Sequence, residues 1–325
     1  MGIARAYQRS QALAVAARLR IADVLAAGPR TVADLASATE TDAPTLYRLL
    51  RALASIGVFT ELAERSFANN PASEYLRSDH ELSVAPAVEM FCARYEWTAW
   101  GALDHSVRTG ENAATHALGM DVWEYRRHDP EAGRTFDAAM RTLARGNRDE
   151  VAAHDFASYP VIADIGGGTG AFVCAVLSEN PRQRAILFDQ PHVVVNAPPT
   201  LAAAGVEERV EVVGGSFFDG VPPGADAYVL RRILHDWTDD ACVEILRSVR
   251  RSMTPAARLI VIDAVVGPPN EDPFAKWLDL MMLVSAGGRE RTDEEWVALL
   301  AEGGFRWVST AAASATSSMI VAEPV

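Results

Sequence analysis

From residue 161 onward the chain alternates short, almost purely apolar runs with longer stretches whose apolar residues recur every three or four positions. The runs 161–165, 185–189, 210–214, 227–230 and 259–265 read as strands, and the stretches between them as crossover helices. That alternation predicts an α/β unit built on a parallel sheet. Two last runs, 306–310 and 318–322, predict a closing hairpin. Upstream, the pattern is helical. Helical spacing predicts a helix over 11–27 ended by Gly28-Pro29, a second opened by Thr31, and a third from Thr45 with leucines at i, i+3, i+4 and i+7. Residues 57–62 and 66–68 then predict a small hairpin, and three helices with a wing form the winged helix-turn-helix pattern. Residues 81–158 continue helical. Within them, 130–156 reads as one long connector helix, broken in composition only by Gly133 and Gly146. The pattern divides the chain into 1–80, 81–158 and 159–325.

With 325 residues and 49% hydrophobic content, the chain has material for two sizeable cores. A net charge of −13 argues against nucleic acid and against an anionic membrane surface as partners. Residues 1–80 carry nine arginines and no lysine against eight acids, a net of +1, which is too little for a helix meant to enter a phosphate-lined groove. A DNA-binding regulator, with Arg48 and Arg51 as its contacts, is therefore the remote alternative to a dimerisation platform. Cys92, Cys174 and Cys242 are far apart and form no metal-ligand spacing, so they read as reduced and buried. No apolar run reaches the ~18 residues of a membrane span, and the amphipathic start does not resemble a signal peptide. The expected location is cytoplasmic.

The densest chemical signal is Val161-Ile-Ala-Asp-Ile-Gly-Gly-Gly-Thr-Gly170. A buried strand ends in an acid, turns through glycines, and enters an apolar helix, which is how a nucleotide cofactor crevice is built at a strand's carboxyl end. The string fits GxGxxA through Gly166, Gly168 and Ala171, so a nicotinamide dinucleotide fits as well as S-adenosylmethionine. Asp189 ends the second strand, 23 residues after Gly166, where an acid accepts hydrogen bonds from ribose hydroxyls in either case. The third strand favours S-adenosylmethionine, because Ser216 and Phe217 at its edge suit an adenine edge and face. Asp164 suits a cationic amino-acid group, which dinucleotides lack; its competing reading is a helix cap.

On the segments DIGGGTG at 164–170, FDQPHVV at 188–194, GGSFF at 214–218, LRRILHDW at 230–237 and GGRERT at 287–292, the whole chain resembles the two-domain O-methyltransferases typified by plant caffeic acid O-methyltransferase and bacterial tailoring enzymes such as carminomycin 4-O-methyltransferase. The resemblance implies a Rossmann-like class I methyltransferase domain behind an N-terminal, helical, winged-helix-like dimerisation domain, with 81–158 as substrate-pocket and connector region. It implies a homodimer, S-adenosylmethionine as methyl donor, S-adenosylhomocysteine as product, and no metal. Asp164, Gly166, Gly168, Asp189, Gln190, Ser216, Phe217 and Arg231 would hold the donor; Arg231 stands where plant members carry lysine, a change of geometry at equal charge.

Methyl transfer to a phenol, whose pKa is ~10, requires removal of a proton. His235, at the end of the fourth strand on the cofactor side of the sheet, is the candidate general base; its competing reading is a structural histidine. The family's two acidic partners fall on Asp263 and Glu290. Asp263 replaces the family's usual glutamate and has the shorter reach. Glu290 could instead pair with Arg289 or Arg291. The resemblance places Met90, Phe91, Phe136 and Met140 around a flat acceptor, with Asp236, Trp277, Met281 and Met282 on the other side. Phe91 stands where plant members carry asparagine. The expected activity is O-methylation of a hydroxylated aromatic small molecule in secondary metabolism, antibiotic biosynthesis included. Its rivals are a diverted relative that hydroxylates, decarboxylates or closes rings, and an N- or C-methyltransferase.

Overall fold

The computed structural model describes residues 2–143, 147–271 and 273–325. The chain forms two compact units, Met1–Gly101 with Met120–Arg145, and Ala102–Gly119 with Gly146–Val325.

In the first unit, Thr31 caps the helix Val32–Ala38 by accepting from the Asp34 N–H, and Asp42 caps Ala43–Ala54 by accepting from the Thr45 N–H. The third helix thus starts two residues before the predicted Thr45, because Asp42 supplies the cap and Pro44 fits the first turn. Leu46, Leu50 and Leu53, read from their spacing, are buried against Leu35, Phe59 and Phe67. Strands β2 (Thr60–Leu62) and β3 (Ser66–Ala68) form the expected hairpin, and β1 (Arg30–Thr31) adds a third strand on β3. A two-residue strand has no period by which to announce itself. The single helix predicted over 11–27 is two, Ala6–Arg18 and Ile21–Val24, broken where Arg20 takes a left-handed φ of 53°. Arg20 donates to Asp23 and to Ser78, and Asp23 accepts from the Ser78 backbone. The partner that fixes the break lies 58 positions away.

The second unit holds a seven-stranded sheet of β4 (Val161–Ile165), β5 (Arg184–Asp189), β6 (Val210–Gly214), β7 (Ala227–Arg231), β8 (Arg258–Asp263), β9 (Phe305–Ala312) and β10 (Ser318–Pro324), in the order β6-β5-β4-β7-β8-β10-β9. The first five are parallel, and β10 runs antiparallel between β8 and β9. All seven predicted strands are present. The fifth ends at Asp263 rather than 265, because Val265 leaves the sheet to bridge Arg291. Side chains alternate between two cores. Ala163, Ile186, Tyr228 and Leu259 pack towards helices Asp239–Ser252 and Asp293–Glu302; Ile162, Leu187, Val229 and Ile260 pack towards Ala171–Glu179 and Pro198–Ala204. This is a Rossmann-like sheet, and its strand order reverses at β4, the edge where such sheets bind ligands. The helix expected over 130–156 appears as Pro130–Leu143 and Asn147–Ala152, with Phe156 in a separate turn; Gly146, singled out in the sequence, lies outside the described residues. No helix among the described residues is long and apolar enough to cross a membrane, and all three cysteines are buried and free.

Candidate active site

The turn after β4 is built by backbone freedom. Gly166 and Gly168 have φ of 76° and 62°, a region costly for other residues. The Phe188 carbonyl accepts from the Gly166 N–H at 2.7 Å, and Asp189 Oδ2 accepts from the Gly168 N–H at 2.8 Å. Asp189 Oδ1 accepts from the Gln190 N–H, so one carboxylate spans the glycine turn and the start of the next helix. Gln190 itself is exposed.

Asp164 does not cap the following helix, whose N-cap is Gly170. Its side chain is buried, and Oδ2 has no hydrogen-bond partner. Burial raises its pKa to about 7 against the lowering influence of Arg231. A buried carboxylate with an open oxygen, beside left-handed glycines and a second acid, fits a ligand carrying an ammonium and ribose hydroxyls. The residues therefore fit S-adenosylmethionine. Ser216 Oγ accepts from the Phe218 N–H, and the Phe217 ring meets Trp237 edge-on at 5.7 Å. Arg231 turns its Nε to Glu150 at 2.6 Å.

His235 lies four residues past the end of β7, in the turn Leu234–Asp236. A methyl group on Gly166 would stand 2.4 Å from Ile233 Cδ1, so this segment lies against the glycine turn. His235 is buried, with Nδ1 2.7 Å from Glu290 Oε1 and 3.7 Å from Asp263 Oδ1, and Nε2 3.7 Å from Asp236 Oδ1. A carboxylate oxygen accepts, so Nδ1 carries a proton, and in the neutral ring Nε2 is the nitrogen left for a reacting group. Burial lowers the His235 pKa, but Asp263, Asp236 and Glu290 outweigh it and raise it to about 10. Asp263 accepts no hydrogen bond on either oxygen, and burial pushes its carboxyl up to about 7. The shorter side chain expected at this position thus stops short of the ring. His235 Nδ1, Asp263 and Glu290 also form the one donor set among the described residues compact enough for a metal ion.

Neither neighbouring arginine takes Glu290. Arg289 pairs with Glu295 and Asp239, and Arg291 with Asp239. Arg291 is a site residue that the sequence reading missed. Its buried guanidinium donates to the Leu234 carbonyl at 3.1 Å and the Trp237 carbonyl at 3.3 Å, bracketing His235. Gly288 is another: a Cβ there would lie 2.0 Å from the His235 carbonyl oxygen, so only glycine lets this loop bring Glu290 close. Asp279 holds the same loop by accepting from the Glu290 N–H.

In the first unit, Met90 is buried with Ala139, and Phe136 and Met140 pack against them. Arg126 stacks over Phe136 at 3.7 Å, a cation–π contact that gives this ring a packing role. Phe91 is 44% exposed and outside that cluster. In the second unit, Met282 is buried, whereas Trp277 is exposed.

Residues 100–306 match the model of the O-methyltransferase domain, and residues 1–79 that of the O-methyltransferase dimerisation domain. The chain is 40% identical over 321 residues to a phenazine O-methyltransferase of Lysobacter antibioticus, covering 98% of this chain and 94% of that protein. It is also 40% identical over 312 residues to an 8-amino-8-demethylriboflavin N,N-dimethyltransferase of Streptomyces davaonensis, covering 93% and 89%. It superposes with a TM-score of 0.85, at 33% identity and over 97% of this chain and 96% of the other, on an O-methyltransferase from neocarzinostatin biosynthesis solved with S-adenosylmethionine and 2-hydroxy-5-methyl naphthoic acid. The chain belongs to the family of S-adenosylmethionine-dependent O-methyltransferases, and is an enzyme of that class with an N-terminal dimerisation domain.

Proposed function

We propose that the enzyme methylates a hydroxyl of an aromatic small molecule in secondary metabolism, with His235 as general base. The observation that carries this reading is the 2.7 Å bond between His235 Nδ1 and Glu290, next to the glycine turn. S-adenosylmethionine, when bound, supplies a methyl group on a sulfonium. Asp164, Gly166, Gly168, Asp189, Gln190, Ser216, Phe217 and Arg231 would hold it, the Asp164 carboxylate suiting its cationic amino-acid group and the Asp189 carboxylate its ribose hydroxyls. His235 Nε2 takes the acceptor's hydroxyl proton. Glu290 keeps the ring in the tautomer that can do so and stabilises the imidazolium that forms. The acids around His235 raise its basicity, which favours proton transfer from the acceptor hydroxyl to the neutral ring. In the second unit, Asp236 and Met282 contact the acceptor. The enzyme works as a homodimer in the cytoplasm and needs no metal.

The test is methyl transfer from labelled S-adenosylmethionine to a panel of phenols, anilines and hydroxylated polycycles, with S-adenosylhomocysteine as second readout. Methylated phenols, lost in His235→Ala, are expected. Turnover only on anilines would favour a nitrogen acceptor, the reading that the riboflavin-modifying relative supports. Conversion of substrate without S-adenosylhomocysteine would favour non-methylating chemistry.

A further inference from the structure

Strand β7 ends at Arg231, Arg232 follows it, and one buried carboxylate serves both. Glu150, on the helix Asn147–Ala152, is 1% exposed. Its Oε2 accepts from Arg231 Nε at 2.6 Å; its Oε1 accepts from Ser317 Oγ at 2.8 Å and lies 3.9 Å from Arg232 Nη2. Arg232 holds a left-handed φ of 53° and also donates to Thr316. Three separated segments thus converge on one acid: the helix that precedes β4, the end of β7, and the turn between β9 and β10.

This arrangement has a consequence beyond packing. Arg231 is largely buried, its guanidinium 5.8 Å from the Phe172 ring, and its Nη2 has no hydrogen-bond acceptor. A buried guanidinium donor without an acceptor is costly, and a charge-assisted bond to a ligand oxygen would relieve that cost. With Nε fixed on Glu150, Nη2 cannot swing away to find an acceptor of its own.

We infer that Glu150 is a positioning residue for S-adenosylmethionine: it anchors Arg231 through Nε so that Nη2 stays available to an acceptor oxygen of the donor molecule. The inference rests on the donor site proposed above. Arg231 and Arg232 act electrostatically on Asp164 and Asp263 respectively, so the same acid also sets where two positive charges stand beside the donor site and the base.

Calorimetry of S-adenosylmethionine and S-adenosylhomocysteine on the full chain tests this. Glu150→Gln is expected to weaken both by about tenfold while kcat at saturating donor stays within about threefold. Glu150→Asp should recover part of the affinity. Arg231→Met should match Glu150→Gln, and the double variant should be no weaker than either, since both act through one contact. Ser317→Ala, which removes only a hydroxyl, should weaken donor binding by about threefold and keeps the test open should Glu150→Gln fail to fold. Unchanged donor affinity in folded Glu150→Gln, or in Ser317→Ala, would overturn the inference. So would additive losses in the double variant. A wild-type protein that binds neither ligand would instead overturn the donor site itself.

Discussion

Glu290 Oε1 lies 2.7 Å from His235 Nδ1, although 55 residues separate them. Asp263, closer in sequence and ending the neighbouring strand β8, stays 3.7 Å away. The two acids therefore act differently. Glu290 fixes the tautomer through a hydrogen bond, and Asp263 acts on the ring only through its charge.

His235→Ala should bind S-adenosylmethionine normally and lose methyl transfer by about 10² or more. Calorimetry with single-turnover methyl transfer measures both. Near-normal turnover would remove the base from the mechanism.

The pH–rate profile follows from the same cluster. Because acids raise the His235 pKa to about 10, the neutral imidazole accumulates only as pH rises, and the rate should climb from pH 7 towards 10. Glu290→Gln removes one of the charges that raise it, so the acid limb should move to lower pH by about a unit or more, with a lower plateau. An unmoved limb would mean that another group controls it.

Asp164→Asn separates stability from binding. The folded-state pKa, about 7, stands above the ordinary 3.8, so the carboxyl contributes fully below pH 3.8 and loses that contribution as pH rises through 7. The variant should melt a few degrees higher than wild type at pH 8, a gain of about 1–3 kcal/mol, and show no gain at pH 4. Its donor affinity should fall. Equal melting shifts at both pH values would contradict the buried charge.

Gly288→Ala places a Cβ 2.0 Å from the His235 carbonyl oxygen. The loop carrying Glu290 must retreat, so kcat should drop by about tenfold or more while donor affinity is kept. Wild-type kcat would show that the loop can give.

Arg291→Met should cost about 2 kcal/mol in denaturant unfolding, because the Leu234 and Trp237 carbonyls lose their donor. The partner Asp239 is half exposed, so its ion pair adds little to that figure. A stability loss near zero would mean that water replaces the guanidinium.

Strands β4, β5, β7 and β8 were legible because residues buried on both sheet faces leave continuous apolar runs, whereas β6 and β9 are mostly exposed and showed themselves by β-branched and aromatic residues. The glycine turn was legible because only glycine takes the φ of Gly166 and Gly168 without strain. His235, Asp164 and Asp189 could be picked out as chemistry-bearing groups at strand ends, where parallel sheets keep their sites. None of these readings needs to know what lies across space.

Tertiary structure decided the partners. Which acid bonds to His235, that Arg291 brackets its backbone, and that Glu150 gathers Arg231 with Ser317 all depend on distances between segments 54 to 167 positions apart. The break at Arg20 belongs with them, since Ser78 fixes it. Local propensity and period report how a segment packs its own faces. A hydrogen bond from a side chain to a distant segment leaves no period in the sequence, and only the folded chain brings its two ends within hydrogen-bonding reach.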